Sequence, residues 1–125
     1  QYLSFDISKP IVEHFFYLTL VHNKGAAFGL WRGARALLII STLIVIVIVL
    51  ARLCRSKDGD MSRSQLLSWA LILGGAAGNL YDRIRFGYVI DYLDFRVWPV
   101  FNMADSAICV GVFWLIISQL GDRKK

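Results

Sequence analysis

The chain has 125 residues, 57% of them hydrophobic and 18% charged, and its mean hydropathy of +0.56 lies on the apolar side of an ordinary soluble domain. A membrane protein is therefore the first class to test. The net charge of +5 does not call for nucleic acid, because cytoplasmic loops facing anionic lipid headgroups account for it.

Residues 1–33 alternate polar and aromatic side chains. Phe15, Tyr17, Thr19 and Val21 followed by Asn23-Lys24-Gly25 have the pattern of a short strand entering a turn, and the segment is expected at the membrane surface. From Ala34 to Leu53 the chain carries no charge between Arg35 and Arg52, about the length that crosses a hydrocarbon core of roughly 30 Å as a helix. Two shorter apolar segments follow, giving expected transmembrane helices at 34–53, 66–80 and 103–120. The second is rich in small residues from Gly74 to Gly78, which let helices approach closely. A charged connector, Arg52 to Ser64, separates the first two, and Tyr81 to Asn102 separates the last two.

Three spans put residues 1–33 and 81–102 together on one side of the bilayer, opposite the 52–64 connector and the tail. Half of the 14 Lys and Arg residues (Arg52, Arg55, Lys57, Arg63, Arg123, Lys124, Lys125) are concentrated in that connector and tail. Density therefore assigns them to the cytoplasm. A chain starting outside without a signal peptide needs an earlier span or processing, so a helix before Gln1 is expected to be missing. The expected architecture is an all-α membrane bundle with a small extracytoplasmic β-rich segment, forming a single domain over 1–125.

Cys54 and Cys109 fall at opposite ends of this map, predicting free thiols. His14 and His22 lack metal-ligand spacing, and no metal or organic cofactor is called for. Every lysine is assigned to a loop or tail, leaving no intramembrane Ser/Lys dyad; GxSxG is absent, and GGAAGN lacks the Lys-Ser/Thr of a phosphate loop.

Asp91 and Asp105 flank the last connector, 14 residues apart, so a helical hairpin can bring both carboxylates to one membrane face. Two adjacent carboxyl groups share a proton; the ionised one activates water while the protonated one polarises a scissile carbonyl. Ionisable groups at membrane depth are functional candidates by default. Plainer readings stand beside this one: Asp91 as a loop carboxylate paired with Arg83, Arg85 or Arg96, and Asp105 as a helix N-terminal residue favoured by the macrodipole. Asn79 could end a glycine-rich helix, Arg83 could pair with Asp82, and Phe28, Trp31 and Trp98 could be interfacial anchors.

The stretches HNKGAAFGL (His22 to Leu30), GGAAGNLYDR (Gly74 to Arg83), GYVIDY (Gly87 to Tyr92) and FNMAD (Phe101 to Asp105) resemble, in order, the motif set of signal peptidase II. The resemblance implies that Asp91 and Asp105 are the catalytic aspartates. It implies substrate-positioning roles for Asn23, Gly75, Asn79, Arg83 and Asn102. It also implies a monomeric aspartyl endopeptidase of the bacterial inner membrane, with its site near the extracytoplasmic face. Its substrate would be a prolipoprotein whose lipobox cysteine carries diacylglycerol, cut on the amino side of that cysteine, with membrane lipids as the other partner. Two features depart from the family pattern: its first helix, with an Asp-Gln and Thr-Lys signature, would precede Gln1, and the Asp91 to Asp105 connector is short. A proton-coupled transporter using the aspartates as a relay, or an assembly subunit packing through Gly74 to Gly78, are the alternatives.

Overall fold

A computed structural model describes residues 4–25, 34–57 and 59–122. The elements run β1 (Ser4–Val12), β2 (Phe16–Asn23), α1 (Ala34–Arg55), α2 (Arg63–Arg85), β3 (Val89–Asp94) and α3 (Met103–Asp122). β2 is the expected strand, and Gly25 at φ +82° makes the turn that follows it. β1 and β3 add to the expected pattern, forming an antiparallel sheet in the order β1-β2-β3. Pro10 is accommodated because β1 is an edge strand. Lys9 thus stands on a strand and not in a loop. Pairing of β2 with β3 brings residues 16–23 and 89–94 together at one end of the helices.

The helices are longer than the apolar runs, because their ends are set by caps. At the start of α2, the Ser62 side chain accepts from the Gln65 N–H and the Gln65 side chain accepts from the Ser62 N–H, a capping box that begins the helix inside the basic connector. At its end, Gly87 at φ +85° donates its N–H to the Arg83 carbonyl, the αL termination. The Arg35 guanidinium adds a bond to the same carbonyl at 2.9 Å.

Two helical stretches, Arg35–Arg55 and Met103–Leu120, are long and apolar enough to cross a membrane, with mean hydropathies of 2.9 and 1.7. At 23 residues, α2 has the length, about 35 Å, but a more polar composition. It packs against both α1 and α3, so a complete apolar circumference is not required of it. On α1, Ile40, Ile44, Val47 and Ile48 are exposed, as are Phe113, Trp114 and Ile116 on α3; contiguous apolar surface of this kind suits lipid.

The interior is correspondingly polar. Among the described residues, Val49, Ile72, Ala76 and Val89 are buried apolar side chains, beside buried Ser68, Asn79, Asp91, Asp94 and Asn102. Glycine makes the α2–α3 contact close: a methyl at Gly75 would collide with the Ala104 carbonyl oxygen, and one at Gly111 would lie 2.8 Å from the Ser68 carbonyl oxygen.

Candidate active site

The site is built where β2, β3, α2 and the start of α3 meet. Asn102 precedes α3 and caps it: its Oδ1 accepts the Asp105 N–H at 3.0 Å, and Asp105 Oδ2 accepts the Asn102 N–H at 3.2 Å. This reciprocal pair is a capping box with a carboxylate as its third-position member. The helix N-terminal reading of Asp105 is therefore correct locally, and the same cap aims the residue into the site.

Asn102 Nδ2 then bonds Asp91 Oδ1 at 2.9 Å and Asn79 Oδ1 at 3.0 Å. Asn79 Nδ2 completes the circuit to Asp105 Oδ1 at 2.8 Å. On the far side, Asn23 Nδ2 bonds Asp91 Oδ2 at 2.9 Å, and Asn23 Oδ1 accepts the Gly25 N–H at 2.8 Å. The backbone N–H donors at Gly25 and Asp105 hold Asn23 and Asn102 with their oxygens turned away, so both NH₂ groups must face Asp91. Each carboxylate thus receives donors at both oxygens.

Asp91 is 2% exposed, which removes the solvated-loop reading; Arg96 pairs with Asp94 instead, 3.5 Å away. Burial, reinforced by the charge of Asp105, pushes the Asp91 carboxyl above the usual carboxylate range, against the bonds from Asn23 and Asn102 and the charge of Arg83.

Five of the sequence-indicated residues, Asn23, Asn79, Asp91, Asn102 and Asp105, therefore form one hydrogen-bonded cluster. Arg83 stands beside it, its charge acting on Asp105 and Asp91, and lines a groove of about 320 Å³ with Leu38, Thr42, Val45, Asn79 and Ile108. Gly75 stays outside the cluster: it is buried at the α2–α3 contact, where its missing side chain lets the helix bearing Asp105 approach. Trp98 is 70% exposed at a loop tip, while Phe28 and Trp31 lie outside the described residues. Both cysteines are free.

Sequence reasoning missed a second polar cluster on the sheet. Asp94, 5% exposed, accepts the Thr19 hydroxyl at 2.7 Å and the Arg96 N–H at 2.8 Å. Arg96 lies 3.8 Å over the Tyr17 ring and donates to the Ser8 hydroxyl. The Asp-x-Arg spacing was the available signal, since Asp bonding the backbone two residues on is a common turn device.

A family model described as Signal peptidase (SPase) II matches residues 1–121. A lipoprotein signal peptidase of Halothermothrix orenii is 52% identical over 110 residues, covering 88% of this chain and 74% of the relative. Another, from Moorella thermoacetica, is 47% identical over 120 residues, covering 93% and 78%. A bacterial membrane enzyme solved by the in meso method at 1.9 Å resolution is similar with a TM-score of 0.83 at 31% identity, covering 92% of this chain and 76% of that one. The chain belongs to the signal peptidase II family. It is a protease and a membrane enzyme.

Proposed function

We propose that Asp91 and Asp105 are the catalytic pair with which this protease removes signal peptides from prolipoproteins. The observation that carries the reading is Asn102, whose side chain bonds one carboxylate while its backbone N–H bonds the other. That common tie, together with the effect of the Asp105 charge on Asp91, supports a pair of carboxyls that shares one proton.

Asp91, whose surroundings favour the proton, donates it to the scissile carbonyl oxygen, and ionised Asp105 takes a proton from the attacking water. Hydroxide adds to the carbonyl carbon to give a gem-diol; as the C–N bond breaks, one of its hydroxyls returns a proton to Asp91 while C=O re-forms, and the proton held by Asp105 passes to the leaving nitrogen. Asn23, Asn79 and Asn102 hold the carboxylates, Arg83 faces the substrate backbone, and Gly75 contributes through helix packing and not through substrate contact. The substrate is a prolipoprotein with a diacylglyceryl cysteine, cut on the amino side of that cysteine. Its acyl chains occupy the groove of about 320 Å³ between Leu38 and Val45 of α1 and Ala76 and Ile108 of the neighbouring helices. The protein is a monomeric single domain with three spans, the site end outside and the basic connector at the cytoplasmic face of the inner membrane.

The test is incubation of the purified protein with a diacylglyceryl prolipoprotein and a gel assay for the released signal peptide. Cleavage that survives in Asp91→Asn or Asp105→Asn would overturn the pair.

A further inference from the structure

Asp82 lies in the last turn of α2, where a negative charge opposes the helix macrodipole and is unfavourable. By sequence alone it is only a partner for Arg83. Its carboxylate Oδ2 instead accepts the backbone N–H of Ile90 at 3.2 Å. Ile90 immediately precedes Asp91, and its N–H points away from β2, to the outer edge of β3. Between Asp82 and Ile90 the chain reverses through Gly87, whose φ is +85°. The Asp82 bond therefore ties the start of β3 directly to the helix that carries Asn79. Asp82 and Ile90 also border, with Asn79 and Asn102, a cavity of about 300 Å³ beside the carboxylate cluster.

We propose that Asp82 is a positioning residue for the hydrolysis: by holding the Ile90 backbone it sets the separation of Asp91 from the Asn79–Asp105 arm of the site. Such a tether bears on the site because Asp91 and Asp105 stand on different elements, β3 and α3. Backbone bonds of Tyr92 and Leu93 with Phe101 join β3 to the residue before the α3 cap, and side-chain amide bonds link the carboxylates; the Asp82–Ile90 bond is what adds a tie from β3 to α2. A displacement of about 1 Å at reacting groups can cost on the order of 10²-fold in rate. An acceptor oxygen at position 82 is what the tether needs, and its charge is secondary.

The inference rests on the proposed catalytic pair, and the experiment separates the two. Steady-state cleavage of a diacylglyceryl prolipoprotein is measured for the full chain and for Asp82→Ala, Asp82→Asn and Ile90→Pro, with Asp91→Asn as the control. Ile90→Pro removes the N–H from the other end of the bond on an outer strand edge, where proline is tolerated. Asp82→Ala and Ile90→Pro are expected to lower kcat at least tenfold with KM within about twofold. Their pH–rate profiles should shift, because Asp91 moves relative to its amide donors. Asp82→Asn, which keeps an acceptor, is expected to recover kcat to within about threefold of the parent.

Wild-type kcat in Asp82→Ala, a rise in KM with kcat unchanged, or an Asp82→Asn variant as slow as the alanine form would overturn the positioning role. If Asp82→Ala does not fold, kcat of Ile90→Pro decides the question by itself: a tenfold loss supports the tether, and a parental rate removes it. An active Asp91→Asn control would instead sink the catalytic pair.

Discussion

Asp91 and Asp94 stand three residues apart on β3, both buried, and their surroundings push their proton affinities in opposite directions. Burial and the neighbouring Asp105 raise Asp91. At Asp94 burial acts the same way but is outweighed by the Thr19 hydroxyl, the Arg96 N–H and the Arg96 charge, leaving it below the ordinary value of 3.8. Folding therefore binds a proton at Asp91, so stability in detergent should rise as pH falls from the folded value of Asp91 toward 3.8. The Asp94 contribution is complete above 3.8 and is lost as pH falls through its folded value. Melting temperatures across pH should show the first slope flattened in Asp91→Asn and the second in Asp94→Asn. Unchanged slopes in both variants would contradict the assignment.

Replacing either member of the pair should abolish cleavage. Asp91→Asn and Asp105→Asn keep side-chain shape but cannot exchange the shared proton, and acid-base catalysis commonly contributes about 10² to 10⁴ in rate. The double variant should be little slower than either single one, because the groups act as a unit. Initial rates on one substrate batch decide this; multiplicative losses would mean independent roles.

Asp94 separates structure from chemistry. Asp94→Ala removes the acceptor of the Thr19 hydroxyl and the Arg96 N–H, and a hydrogen bond to a charged group is worth about 1.5–3 kcal/mol. The variant should unfold at lower denaturant concentration, yet cleave near the parental rate per folded molecule. Complete inactivity in a folded Asp94→Ala protein would move the catalytic site toward Asp94.

Gly75→Ala should couple packing to catalysis. The added methyl meets the Ala104 carbonyl, part of the first turn of α3, so the helix bearing Asp105 must shift. Overpacking of this kind costs about 1–3 kcal/mol. A kcat loss with KM little changed is expected, and a raised KM alone would point to direct substrate contact at Gly75.

Orientation is open to labelling. Cys54 is exposed at the end of α1, beside the basic connector, and should react with impermeant thiol reagents only from the cytoplasm. With Cys54 and Cys109 replaced, Trp98→Cys should react only from outside. Reversed accessibility would invert the topology.

The sequence by itself determined the membrane class, the positions of three long helices and the order of the motifs. Those are local quantities: apolar run length, charge density, and Asp, Asn and Gly at short spacing. It also marked Asp91, Asp105 and their asparagines, through resemblance. The strand at Val89–Asp94 was not legible, because two of its buried positions are filled by Asp91 and Asp94. Alternation rules expect apolar residues there, and a buried carboxylate is tolerable only once its donors are in place. Those donors come from Asn23, 68 residues away in sequence, from Thr19, 75 away from Asp94, and from Asn102 at the start of another helix. Only the tertiary structure could bring them together. It also decided that Asp94 pairs with Arg96 while Asp91 pairs with amides, since the two carboxylates look alike in sequence and differ in what the fold sets beside them.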